Sequence, residues 1–231
     1  MKNTFSRTAV DLYCECPRCF YLQHKLKIKR PPGYPFTLNA AVDKLTKAEF
    51  DLYRESKREH PLIQRNGLEM IPLEHPDMNH WRNNRKGVRI EYQGYEFYGI
   101  VDDIWVHTSN KKWHVVEYKA TAKKDPVTSL DPNAEHHRIY QKQVAFYTWL
   151  LIQNGHPVDL KSFFVYSTGD NQATHFNDTL SFRTSLIEHT CDTSWVEPTL
   201  SALIRCFESP IVPEASVSCK HCEFSRLNNQ Q

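Results

Sequence analysis

The chain has 231 residues, 40% hydrophobic and 12% aromatic, and a formal net charge of +2. That length and apolar content suit one well-cored domain. The near-neutral charge excludes a globally basic surface, so any nucleic-acid binding has to come from local patches. No apolar run approaches the roughly 18 residues needed to cross a membrane. The opening stretch MKNTFSRTAVDLY has no apolar core of signal-peptide type. Seven cysteines, an odd number, argue against a disulfide framework. A cytosolic protein is expected, with cysteines that bind metal or lie buried as thiols.

Ser6 is suited to cap a short helix through Val10, Leu12 and Tyr13 toward Pro17. Cys14, Cys16 and Cys19 fall in the segment CECPRCFYL, the last two at C-x-x-C ligand spacing. Lys25, Lys27, Lys29 and Arg30 then form either a phosphate-binding patch or a solvated connector ahead of Pro31, Pro32, Gly33 and Pro35, which break regular structure. A long helix is predicted from near Thr37, with Leu38, Ala41, Leu45, Ala48 and Leu52 marking its apolar face. Asp43 and Glu49 lie on the same helix.

Residues 59–86 read as irregular, with a helical turn near Trp81. Strands are predicted over 88–92 and 96–106 with a tight turn at 93–95, as the start of one antiparallel sheet. After a hairpin and a loop at 123–133, residues 134–154 form a helix that stops at Gly155, with Pro157 beyond. Gln143 and Tyr147 are four apart on it and share a face. Tyr147 also suits a plain core position and Gln143 a surface one. SFFVYS at 162–167 is a buried strand entering the same sheet, so hairpin, helix and strand build a mixed α/β sheet. Beyond it come a strand or two, a helix over 198–207, and a tail with Cys219 and Cys222 at C-x-x-C spacing. Residues 226–231 are expected to fray. Cys191 and Cys206 are expected in the core, and Cys14 is left over.

The densest chemistry lies in residues 99–121, GIVDDIWVHTSNKKWHVVEYKAT. Two alternating runs flank a polar loop, which is the pattern of a β-hairpin. A turn centred on Ser109 and Asn110 sets Asp102 opposite Glu117. Like charges in that position destabilise a sheet unless something positive lies between them. Side chains alternate along a strand, so Glu117 and Lys119 share a face and Tyr118 points away. Two carboxylates and an ammonium on rigid strands can hold a divalent cation and a polarised water, the equipment of metal-assisted phosphodiester hydrolysis. The same spacing taken alone also fits an exposed hairpin with solvated charges.

Four landmarks occur in order: SRTAVDLYCECPRCFYL, GIVD at 99–102, EYK at 117–119, and Q-x-x-x-Y at 143–147, followed by a terminal CKHC at 219–222. Together they resemble the PD-(D/E)XK nuclease superfamily, in the RecB-like branch that includes the CRISPR-associated exonucleases. The resemblance implies a restriction-endonuclease-like α/β core, a central mixed sheet flanked by helices, with the N- and C-terminal cysteine segments brought together. It implies one nuclease domain over residues 1–231, with a catalytic core at 37–170 and a cysteine clasp from 1–35 and 208–231.

By the same resemblance Asp102 and Glu117 match the metal-binding acids, and the Tyr118 carbonyl could add an oxygen. Lys119 matches the lysine that orients the attacking water and stabilises charge on the phosphate. Gln143 and Tyr147 match the motif that contacts nucleic acid and steadies the site. Many RecB-like nucleases carry a metal-binding histidine on the first long helix. This helix has none, and Asp43 is the candidate replacement, with Glu49 behind it.

Relatives with an iron–sulphur cluster use one N-terminal and three C-terminal cysteines, whereas this tail offers only Cys219 and Cys222. A set of Cys16, Cys19, Cys219 and Cys222 would suit a [4Fe-4S] cluster or structural Zn2+, and spacing does not choose between them. The implied function is a Mg2+- or Mn2+-dependent nuclease acting on DNA ends or single strands in repair, recombination or defence, with a helicase or other repair or defence protein as a possible partner. The alternatives are a non-catalytic nucleic-acid-binding or scaffold protein on the same fold, and a zinc-dependent regulatory module.

Overall fold

A computed structural model describes residues 3–228. In chain order the elements are β1 (Thr4–Ser6), α1 (Arg7–Glu15), α2 (Pro17–His24), α3 (Thr37–Glu55), α4 (Pro61–Arg65), β2 (Met70–Pro72), α5 (Met78–Trp81) and β3 (Val88–Tyr92). They continue with β4 (Tyr95–Gly99), β5 (Asp103–His107), β6 (Trp113–Lys123), α6 (Glu135–Gln153), β7 (Lys161–Asp170), β8 (Phe182–Thr190), α7 (Val196–Glu208) and α8 (Lys220–Asn228). They divide into two compact units: residues 35–88 with 99–193, and the described parts of 1–34, 89–98 and 194–231.

The first unit is a five-stranded sheet in the order β2-β5-β6-β7-β8. β6 runs antiparallel to β5 and parallel to β7, so the sheet is mixed as the element order predicted. Val115, Val116, Phe163, Phe164 and Val165 are all almost fully buried, because helices cover both faces and the central strands read as continuous apolar runs. One face of the sheet packs Trp105, Val116, Tyr118, Phe163 and Val165 around Phe50 of α3. The alternate side chains of β6 meet α6. The hairpin register pairs Asp103 with Val116 and Val106 with Trp113, which by continuation sets Asp102 opposite Glu117. α6 is terminated just before Gly155, where φ is +80° and the His156 N–H reaches back to the Leu151 carbonyl at 3.1 Å, a cap open to glycine without strain.

Four expectations change here. The strand predicted over 96–106 is two strands, and β4 joins β1 and β3 in a separate three-stranded sheet. Ile100 and Val101 are as apolar as their neighbours, so alternation does not reveal the break. The Leu38, Ala41, Leu45, Ala48, Leu52 stripe of α3 is its outward face: Leu38, Leu45 and Leu52 are 59%, 70% and 65% exposed. α3 turns Phe50 inward to stack on Trp105 and sends Arg54 to a buried carboxylate. Those contacts outweigh the burial that the aliphatic stripe would offer. Residues 59–86 contain α4 and the edge strand β2 as well as the helical turn at Trp81. At the tail, residues 226–228 belong to α8, and residues 229–231 lie outside the described residues.

In the second unit Ser6 caps α1 as expected, its hydroxyl accepting from the Ala9 N–H at 3.3 Å. Gln93 and Gly94 have φ of +49° and +81°, the two left-handed residues of a type I′ hairpin turn. Phe5 is the centre of an aromatic cluster with Phe20, Phe97 and Phe207. The basic run at 25–30 is largely spent on internal contacts: Lys25 donates to the Ser209 carbonyl, Lys27 to the His24 carbonyl, and Arg30 to Glu15. Among the described residues no helix is long and apolar enough to cross a membrane.

Burial holds the His114 and His189 imidazoles of the five-stranded sheet below their ordinary pKa. An unfolded chain takes up those protons near pH 6.5, before the folded one does. Their contribution to stability is therefore full above that pH and is lost as pH falls through the folded values. Thermal unfolding at pH 7.5 and 5.5 is expected to give a melting temperature a few degrees lower at the acid pH, and His114→Asn is expected to reduce the difference. An unchanged melting temperature in the wild type would refute this linkage.

Candidate active site

Glu117 and Lys119 project from the same face of β6, and α6 supplies their partners. The Lys119 ammonium donates to Glu117 Oε1 at 2.7 Å and to Gln143 Oε1 at 3.1 Å. Its charge also lies 4.2 Å from the centre of the Tyr140 ring, a cation–π contact. Gln143 Nε2 donates to Glu117 Oε1 at 2.6 Å and to the Tyr147 hydroxyl at 3.1 Å. Gln143 is therefore buried, and it holds the acid, the lysine and the tyrosine in one array. The conformation is narrowly specified, because both amide hydrogens and the amide oxygen are used. Gly99 follows from the same packing: a Cβ there would lie 2.6 Å from two Tyr147 ring carbons.

Asp102 lies just before β5 and is tied to β6 by the Tyr118 N–H, which donates to its Oδ2 at 3.0 Å. Its other oxygen accepts from Lys47 at 2.8 Å, and Lys47 also donates to Asp43 at 2.9 Å. Burial works against the Lys47 charge, but Asp102 and Asp43 outweigh it and raise its pKa. Burial, and then the nearby Asp102 charge, raise the Asp43 carboxyl despite Lys47. The structure thus brings Asp43 to Asp102 through a lysine. Glu49 is directed elsewhere, bonded to His60 at 2.8 Å.

Asp103 has a different environment from its neighbour. It is fully buried, accepts from Arg54 at 2.6 Å, the Tyr118 hydroxyl at 2.6 Å and the Ile104 N–H at 2.7 Å, and lies 2.9 Å from Arg82. Burial and then the Asp103 charge push the Tyr118 phenol well above its usual range, keeping it a donor. Asp103 is thus enclosed by its partners, whereas Asp102 is held by Lys47 and one backbone N–H.

A cleft of about 470 Å³ lined by Asn39, Asp43, Lys119, His136, Tyr140 and Tyr166 opens between α3 and α6. It lies at the carboxyl ends of the parallel strands β6 and β7, where α/β sheets bind ligands. Burial and the neighbouring Tyr140 push the Tyr166 phenol up to about 12, so it too faces the cleft protonated. Lys47 and Tyr140 are absent from the sequence motifs. Lys47 is four residues from Asp43 and Tyr140 three from Gln143, so helix-face spacing could have found both. Nothing local marks the Arg54 and Arg82 pairing.

The oxygen donors of Asp102 and Glu117 suit a hard divalent cation such as Mg2+ or Mn2+. A second donor set is of another kind. The thiols of Cys16, Cys19, Cys219 and Cys222 all lie within 4.8 Å of one another, and among the described residues this is the only such group of three or more potential ligands. Burial raises Cys19 and Cys222. Burial opposes ionisation of Cys16 as well, but backbone N–H donors and its thiol neighbours lower it to about 7. Of the other cysteines, Cys191 is buried as expected, Cys206 is half-buried and Cys14 exposed.

A mixed sheet with opposed acids, a lysine two residues beyond the second acid and a glutamine–tyrosine helix face define a nuclease fold, and the chain belongs to the PD-(D/E)XK nuclease superfamily. The family profile matches residues 37–227. The chain is also similar to the CRISPR-associated exonuclease Cas4 of Francisella tularensis subsp. novicida (strain U112), with 27% identity over 222 residues, 95% of this chain and 90% of that protein. The superfamily indicated by the motifs is the one the profile matches, and the similarity to Cas4 agrees with the RecB-like branch they suggest.

Proposed function

We propose that this protein is a divalent-metal-dependent deoxyribonuclease, an exonuclease on DNA ends or single strands in cytoplasmic repair, recombination or defence. The observation that carries the reading is the Lys119 ammonium, held by Glu117, Gln143 and Tyr140 at the wall of an open cleft. Asp102 and Glu117, with the Tyr118 carbonyl and Asp43 as further oxygens, would hold Mg2+ or Mn2+. When bound, that ion supplies a Lewis acid for the phosphate and a more acidic water.

The chain's own residues do the rest. Glu117 and Gln143 hold Lys119 in one orientation, so its charge is in place to orient the water and to meet the negative charge that grows on the phosphate oxygens. Gln143 and Tyr147 fix the acid and bound the site where the DNA backbone would lie. Phosphate contacts carry no base preference, so cleavage with little sequence dependence is expected. The catalytic core at 37–170 and the cysteine-bearing segments at 1–35 and 208–231 would act as one nuclease domain, with a helicase or other repair protein as a candidate partner.

The test is degradation of end-labelled single- and double-stranded DNA in Mg2+, Mn2+ or EDTA. Metal-dependent cutting by the wild type supports the reading. Tight DNA binding without cutting under any of these metals would replace it with a non-catalytic binding module.

A further inference from the structure

We infer that the outward face of α3 is the seam of a homodimer, in which α3 packs antiparallel against α3 of a second copy of this chain. Leu38, Ala41, Leu45, Ala48 and Leu52 follow one another at alternate steps of three and four residues, the spacing of the a and d positions of a coiled coil. A helix that packs on a protein core carries a broader stripe, and α3 makes its inward contacts from another side, through Phe50 and Arg54. The seam itself is bare, with all three leucines and both alanines exposed. A contiguous exposed apolar strip of this kind marks an interaction site.

The order of sizes along the seam points to its occupant. Leucine holds each a position and alanine each d position between them, so large and small side chains alternate. In a parallel pair a meets a and d meets d, which stacks leucine on leucine and leaves alanine facing alanine across a gap. Turning one helix round sets each a opposite a d, so that leucine fills the space over alanine. The strip is then complementary to itself, which is the condition for a two-fold interface between identical chains.

Charges beside the seam fix the register. With Leu45 over the partner's Ala48 and Ala41 against the partner's Leu52, Lys44 falls beside the partner's Asp51, and the two-fold axis repeats that pair. Lys44 is exposed. Asp51 is held at the rim by Arg54 and Arg82, at 3.0 and 2.7 Å, and stays partly exposed. The shift that would set Leu38 over the partner's Ala48 brings Lys44 beside the partner's Lys44, and like charges at flanking positions oppose it. Two heptads make a small seam beside the roughly 800 Å² per partner of a standard interface, so dissociation in the micromolar range is expected.

Sedimentation of the whole chain, with reductant present so that no disulfide links two copies, is expected to show a monomer passing to a dimer across the micromolar range. Leu45→Glu puts two carboxylates at the middle of the seam and is expected to leave a monomer throughout. Leu45 is exposed within one chain, so this variant is expected to keep the wild-type circular dichroism spectrum. At a concentration where the wild type is also a monomer, the two are expected to melt together. Lys44→Glu replaces two opposite-charge contacts by two like-charge ones and is expected to weaken the dimer by about 5–30-fold, whereas Lys44→Arg is expected to match the wild type. A wild-type chain that stays monomeric across that range would overturn the inference and leave the strip to a helix of another protein. A dimer that survives Leu45→Glu would overturn it as well, because another surface then forms it, and a Lys44→Glu dimer as tight as the wild type's would refute the register. None of these readouts depends on nuclease activity.

Discussion

Replacing Lys119 with alanine is expected to lower DNA cleavage by about 10²–10³-fold or more, the cost of losing one preorganised charge at a developing oxyanion. Lys119 is mostly buried and bonded to both Glu117 and Gln143, so its ammonium needs no reorganisation when the phosphate charge grows. The alanine variant loses that charge but keeps both carboxylates. Its affinity for Mn2+, read by calorimetry with the non-cutting protein, is therefore expected to stay at or above that of the wild type, while its melting temperature falls because buried Glu117 loses its counter-charge. Lys119→Arg keeps the charge but not the point geometry and is expected to recover only part of the rate. Wild-type cleavage by Lys119→Ala would remove this residue, and with it the proposed site, from the chemistry.

The neighbouring aspartates are expected to fail in opposite ways. Asp102→Asn should abolish metal-dependent cleavage and leave the fold near wild-type stability, since its partners are a part-exposed Lys47 and one backbone N–H. Asp103→Asn removes the buried counter-charge of Arg54 and Arg82. Breaking one side of such a buried array costs about 3–5 kcal/mol, which lowers the melting temperature by roughly 10 °C in a chain of this size. Assayed cold, where it is folded, Asp103→Asn is expected to keep metal-dependent cutting. Paired melting and cleavage curves for the two variants decide the matter, and a folded but inactive Asp103→Asn would mean that the two acids had been assigned in reverse.

Much of the site's framework is local and was therefore legible. A two-residue period sets which side chains share a strand face, so Glu117 and Lys119 could be placed together without coordinates. Symmetry about Ser109 and Asn110 was enough for the hairpin register, and the observed pairing of Ile104 with Val115 and Trp105 with His114 agrees with it. The α6 stop at Gly155 and the cap at Ser6 are likewise consequences of backbone conformation within a few residues.

What escaped sequence reading depends on which of two acceptable surfaces a segment buries. The leucine and alanine stripe of α3 has the spacing of a core face, yet the helix turns inward the side bearing Asp43, Lys47, Phe50 and Arg54. A buried Asp103 fully enclosed by partners and a stacked Phe50 together decide that orientation. The choice between adjacent aspartates has the same origin: Arg54 and Arg82 are distant in sequence from Asp103, and no local pattern announces them. The order of chemistry along the chain, two acids, a lysine and a glutamine–tyrosine pair, belonged to the sequence, because strand and helix periods are properties of the backbone. That Asp103 is enclosed by arginines, that Lys47 bridges Asp43 to Asp102, and that four thiols converge within 4.8 Å of one another were decided only by the tertiary structure, because burial and charge pairing are settled between segments that meet in space.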